Sequence, residues 1–246
     1  MLVLPLLGSS PCFSQSQDTD FSSVDSFAAK VKYHGDLTAL TRTLTAPYTK
    51  QLYKARAIFI WITDNIEYDC KDFNRHELRG KPYPEFKCKN EEDCEAKKEN
   101  RETNYLDRVL KRKKAVCHGY ASLFKRMCDI AGLKAEYIKG YTRSQYYQVG
   151  QTGPDNHAWN SILIDSTYYL LDATWAAGGC LQDDNGKLTD FFPSLNEYYW
   201  LTSPRDFVRD HFPENPRWTL IPNYTIENYA DNPYYEGSEL SNLTLI

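Results

Sequence analysis

No stretch of the chain approaches the roughly 20 consecutive apolar residues that a membrane-spanning helix needs, so none is expected to cross a bilayer. There is no C-x-x-C pair and no H-E-x-x-H, which removes the usual spacings of a structural zinc or a zincin site. Neither sign of charge dominates. Lys+Arg 29 against Asp+Glu 33 leaves a net charge of -4, which argues against nucleic acid or an anionic membrane surface as the main partner. No internal repeat is present, so a solenoid is not expected.

What is present is a globular composition, 41% hydrophobic and 25% charged, on 246 residues, enough to bury a core without help from disulfides or metals. Aromatics are abundant at 14%, with 19 Tyr; a tyrosine excess suits hydrogen-bonding aromatic surface in a groove or interface as well as a core. The apolar start, Met1 to Gly8, followed by small polar residues, reads as the end of a secretory signal peptide over 1–14, with cleavage after Ser14. A secreted or periplasmic location is therefore expected. Beyond Cys12, six cysteines remain: Cys70, Cys88, Cys94, Cys117, Cys128 and Cys180. Cys88 and Cys94, close together in a polar segment, are the best disulfide candidates, and full pairing of all six fails if one is a working thiol.

Residues 15–35 read as a flexible lead-in to a domain over 36–222. Leu37, Leu40 and Leu44, then Leu52, Ala55, Phe59, Ile62 and Ile66, predict two core-facing helices. Residues 71–104 lose the apolar period and form a charged insertion of mixed sign, which argues against a docking patch. Ala121, Phe124, Met127, Cys128 and Ala131 recur at helical spacing, and Gly132 stands where a helix would end. The period then changes to strands over 135–142, 157–165 and 168–174, with a Tyr-rich loop over 143–156. Residues 223–246 are a polar, Tyr-containing tail or the start of a further β element. The fold class is α+β.

Cys117 opens the predicted helix at 117–131. Helix N-terminal amides favour a thiolate over a thiol, so a cysteine here is a candidate nucleophile that needs a base from elsewhere. His157 opens a predicted strand. A two-residue turn at Asp165-Ser166 sets Ile164 opposite Thr167, Trp159 opposite Asp172 and His157 opposite Thr174, so His157 and Asp172 share a face within bonding reach. A three-residue loop would separate them. Singly, each residue has an ordinary explanation: Cys117 as half a disulfide, Asp172 as a cap, His118 as a first-turn residue facing water. Together, a thiol at a helix start with an imidazole and a carboxylate on adjoining strands is the arrangement for acyl transfer. One oxyanion donor is expected from the Cys117 backbone N–H, and the second is left between Trp159 and a residue before the insertion.

The segments Val116-Cys117-His118-Gly119-Tyr120-Ala121, Asn156-His157-Ala158-Trp159-Asn160 and Leu171-Asp172-Ala173-Thr174-Trp175 resemble the three signature blocks of the transglutaminase-like superfamily of papain-type cysteine enzymes. Residues 198–220, with His211-Phe212-Pro213, resemble the segment after the core in the kyphoscoliosis peptidase branch and its bacterial relatives. The resemblance implies a papain-like core, the Cys-bearing helix packed on an antiparallel sheet that carries His and Asp. It also implies Cys117 as nucleophile, His157 as general base and acid, and Asp172 as the orienting residue. Ala115 stands where the family usually has Gly, and the insertion has no family role. Nothing matches the calcium sites of animal transglutaminases, so no metal is carried over, and no cofactor is called for. The expected partner is a protein or peptide, extracellular or in a cell wall. Trp159, Arg143 and Tyr146 are candidate substrate contacts, the last two on a wall made by the Tyr-rich loop. Nearness to the peptidase branch implies that water takes the acyl group, as in a peptidase or amidase; the alternatives are an amine acceptor, as in a cross-linking transglutaminase, or a non-catalytic binding or scaffold domain.

Overall fold

A computed structural model describes residues 19–78, 87–144 and 146–234. The expected signal segment and its cleavage point lie outside these residues, as do 79–86 of the insertion and the end of the tail. The chain starts with α1 (Ser22–Ala28), which buries Val24 and Ala28 in the core. This corrects the flexible lead-in: residues 22–28 are helical and pinned. Asp36 caps α2 (Leu37–Thr45), its Oδ1 accepting the N–H groups of Thr38 and Ala39 at 2.7 and 3.0 Å. Leu40 and Leu44 of α2 are buried, as their spacing predicts.

The next helix, α3 (Gln51–Asn65), is buried on every side from Ala55 to Thr63, which makes it the central strut of the helical layer. Burying Arg56 there requires partners. Its Nε and Nη2 donate to the two oxygens of Asp25 at 2.8 and 2.7 Å, and Nη1 donates to Glu197 at 2.7 Å. One guanidinium thus ties α1 to α3 and to a short 3-10 turn, Glu197–Tyr199.

The short β1 (Glu67–Tyr68) leads into α4 (Cys70–Phe73) and a single π turn, Asn74–Leu78. The charged insertion then resumes as α5 (Glu91–Arg112), with Cys88 and Cys94 joined by a disulfide at its start. Most of α5 is solvated; Leu106, Val109 and Leu110 near its end are buried in the core, and Tyr105 packs against it. It returns through β2 (Lys114–Ala115), which pairs in parallel with β1.

Helix α6 (Cys117–Ile130) follows at once. It ends as its sequence predicts: Gly132 takes φ +71°, its N–H donates to Asp129, and Leu133 N–H reaches back to Cys128 at 2.9 Å. It packs on β3 (Lys134–Thr142) and β4 (His157–Ile164). β5 (Thr167–Leu171) completes a hairpin in which Ile164 pairs with Thr167, Asp165 and Ser166 taking the positive φ angles of 46° and 68° that a two-residue turn demands. Strand pairing stops at Leu171 rather than running on to 174, because Asp172 leaves the ladder to cap α7 (Ala173–Ala177).

A separate hairpin, β6 (Gly178–Gln182) and β7 (Leu188–Pro193), precedes α8 (Pro204–Phe207). β8 (His211–Pro213) then joins β3, giving an antiparallel sheet in the order β5-β4-β3-β8. The expected polar tail begins as α9 (Ile226–Ala230), not as a β element. Tyr229 is buried there against Tyr141 and Phe212, so the domain extends past 222.

Candidate active site

Gly140 of β3 lies opposite His157 on one side and Pro213 on the other. A Cβ at position 140 would stand 2.2 Å from the Phe212 carbonyl and 2.5 Å from the Trp159 ring, so only glycine lets β8 and the indole approach this closely. The close approach brings His211 on β8 beside the start of β4. Trp159 then stacks on His157, ring centroids 6.1 Å apart and planes within 27°.

His157 Nε2 donates to Asp172 Oδ2 at 2.7 Å. The Cys117 sulfur lies beside the same imidazole, near enough to act on it as a hydrogen-bond partner. Burial opposes a charge on this ring, yet Asp172 and Cys117 outweigh it and push His157 up to about 10. Burial likewise opposes the Asp172 carboxylate, and the two histidines overcome it, holding Asp172 well below the usual carboxylate range. Asp172 is saturated. Its Oδ2 also takes His211 Nε2 at 3.2 Å, while Oδ1 caps α7 by accepting the N–H groups of Thr174 and Trp175 at 2.7 and 3.2 Å.

His211 was not among the expected site residues. It is fully buried, and its Nδ1 bonds Asp210 Oδ1 at 2.5 Å. Burial opposes a charge on this ring, yet Asp210 and Asp172 outweigh it and raise its pKa. Asp210 is fixed in turn by the Tyr199 hydroxyl, which donates to Oδ2 at 2.9 Å. The result is an unbroken chain of bonded groups from Tyr199 through Asp210, His211 and Asp172 to His157. The signals in the sequence were the place of His211-Phe212-Pro213 in the resemblance and an Asp-His pair set among Phe207, Val208 and Phe212.

Cys117 is partly exposed at the first position of α6. The residue before it, Val116, has no side-chain oxygen to accept the first-turn amides, whereas Asp36 and Asp172 cap their helices. No side chain caps the first turn of α6, where Gly119 N–H donates to the Val116 carbonyl at 2.8 Å. Gly119, one turn along, allows α5 to pack: a Cβ there would stand 2.5 Å from Ala115 Cβ and 2.8 Å from Tyr105 Oη. His118 is exposed, as expected, and bonds Tyr137 Oη at 2.9 Å.

Two of the expected substrate contacts are corrected. Arg143 is 1% exposed and its guanidinium holds backbone carbonyls, Arg209 O and Asn232 O at 3.0 Å each, with Tyr229 stacked 4.3 Å away. It clamps the α9 segment and lines no cleft. Trp159 is also 1% exposed; it supports the imidazole from beneath, and its buried indole N–H offers no second oxyanion donor at the surface. Tyr146 alone of the three is open, 74% exposed on the turn Tyr146–Gln148. His157, Asp172 and His211 bring ligand-type atoms within 4.8 Å of one another, but the same atoms already share protons in the bonds described, which satisfies them without an ion.

An imidazole held between a buried carboxylate and a sulfur at the start of a helix is an arrangement suited to acyl transfer through a cysteine. The family model of the transglutaminase-like superfamily matches residues 38–173, and the chain belongs to that superfamily of cysteine enzymes. It is 32% identical to kyphoscoliosis peptidase of Mus musculus over 90% of this chain and 30% of that protein. To hillarin of Drosophila melanogaster it is 26% identical, over 87% of this chain and 25% of that one. The chain thus spans less than a third of the curated relatives it matches. The crystal structure of a TGase aligns with a TM-score of 0.38 at 18% identity, over 69% of this chain and 37% of the other.

Proposed function

We propose that the protein opens amide bonds of proteins or peptides through a thioester on Cys117 and passes the acyl group to water. The observation that carries this is His157, bonded at 2.7 Å to Asp172 and set against the Cys117 sulfur. Cys117 attacks the amide carbonyl as an anion, its proton held on His157 Nδ1. The oxyanion forms at the Cys117 backbone N–H, at the start of α6. His157 gives its proton to the leaving amine, then takes one from the water that attacks the thioester, and the released acid restores Cys117. Tyr146, in the open, contacts the substrate. Similarity to a protein named as a peptidase, over 90% of this chain, supports hydrolysis over transfer to an amine. An exported site of action, secreted or periplasmic, belongs to this reading, with extracellular or cell-wall proteins as substrates. The Cys88–Cys94 disulfide supports it, since such bonds persist in oxidising compartments.

The test is incubation with a glutamine-containing protein and a labelled amine, wild type beside Cys117→Ala. Cleavage that exceeds label incorporation, and that disappears in the variant, is the expected result. Label incorporation exceeding cleavage would make the protein a cross-linking transferase. Iodoacetamide near neutral pH separates both from a binding module. Rapid alkylation of Cys117 that slows in His157→Ala is expected of an enzyme, and sluggish labelling in both would leave only a scaffold.

A further inference from the structure

Cys70 at the start of α4 and Cys180 in β6 are 110 positions apart, and their sulfurs lie 3.7 Å from each other. Small side-chain rotations bring such a pair to the roughly 2.05 Å of a disulfide. Their elements are held together independently. Asn74, just beyond α4, donates from Nδ2 to the Leu188 carbonyl at 2.7 Å and accepts the Leu188 N–H at 3.0 Å. Leu188 opens β7, the partner of β6. The other described thiols are otherwise engaged: Cys88 and Cys94 are bonded, Cys128 is wholly buried in α6, and Cys117 faces His157.

We propose that Cys70 and Cys180 form a second disulfide of this chain, closed by a small-molecule disulfide such as oxidised glutathione. One cysteine thiolate attacks the oxidant, forming a mixed disulfide and releasing one glutathione thiol. The other cysteine thiolate then displaces the second glutathione thiol. The two cysteines together give up two protons and two electrons, and the oxidant takes them up as two thiols. Burial, and next the neighbouring Cys70, push the Cys180 thiol up to about 12. Cys180 in the folded, reduced chain is therefore a slow nucleophile, and closure belongs to folding, when its sulfur is solvated. The loop so closed contains Cys117, His157 and Asp172, so the bond braces the chain that carries the site.

The experiment is refolding of the reduced, denatured full chain at about pH 8.5, where thiolates form readily, in a mixture of reduced and oxidised glutathione. Alkylation, digestion and mass spectrometry follow. A peptide pair joining Cys70 to Cys180 is expected beside the one joining Cys88 to Cys94. Dithiothreitol is expected to lower the melting temperature of wild type by about 5–10 °C more than it lowers that of Cys70→Ser or Cys180→Ser. The variants share the Cys88–Cys94 bond, so the difference isolates the second one. Recovery of Cys70 and Cys180 alkylated separately, or bonded to other cysteines, overturns the proposal, as does an equal loss in all three proteins. Should a variant fail to refold, the wild-type peptide map decides alone. The map reads the bond whether or not the chain cleaves amides.

Discussion

The first half of α5 and the pocket around Asp172 handle charge in opposite ways. In α5, Lys97 meets Asp93 at 2.7 Å and Lys98 meets Glu95 at 2.6 Å, in water, at helical spacing. Around Asp172, His157, His211 and Asp210 are buried, and each is bonded to the next. The first region carries many charges whose pairing is worth little, because water solvates either partner nearly as well alone. The second carries few, and none can be removed without stranding another away from solvent. The candidate site lies where charge is scarce and fully engaged, not where it is dense.

That contrast can be broken most severely at Asp172. Asp172→Asn keeps an oxygen for the α7 cap but turns an amide N–H₂ toward His157 Nε2, forcing the tautomer that places a proton against the sulfur. Turnover is expected to fall by about 10³–10⁴, the scale of the equivalent change in serine enzymes. Asp172→Ala also loses the cap and is expected to unfold at lower urea, by about 3–5 kcal/mol for the two stranded imidazoles. His211→Gln comes next. Removing a ring that shares Asp172 leaves His157 a stronger hold on its proton, so the alkaline limb of the pH–rate profile is expected to move up. A merely structural role for His211 would lower activity without moving that limb.

The pH dependence of stability sharpens the comparison further. His157 is raised in the fold, so its contribution is complete below about pH 6.5 and is lost as pH rises through about 10. Asp172 is lowered, so its contribution is present above about pH 4 and is lost as pH falls through its depressed value. Denaturant midpoints measured across this range are expected to decline on both sides in wild type and to flatten in Asp172→Asn. At the other extreme, Lys98→Ala in α5 is expected to change stability by no more than about 0.5 kcal/mol, since both side chains of its pair are mostly exposed.

Much of the site was legible in residue order because its placement rests on short-range rules. Gly132 marks the end of α6, and Asp165-Ser166 sets the β4–β5 register that points His157 and Asp172 the same way. What escaped depends on contacts distant in the chain. β5 ends early because Asp172 serves a helix as well as an imidazole. Arg143 looks like a loop cation until α9 covers it, and α9 itself is a short helix whose anchor, Tyr229, has partners on β3 and β8. α1 reads as a lead-in because the ion that fastens it, Arg56, lies two helices away. His211 sits on a three-residue strand, too short to show any period.

One carboxylate opens α7 and steadies the imidazole at once. If His157 is the base proposed above, it is armed only when α7 has wound, and a partly melted chain carries a quiescent thiol. On the proposed reading, maturation of the fold and activity arrive together, as a single event.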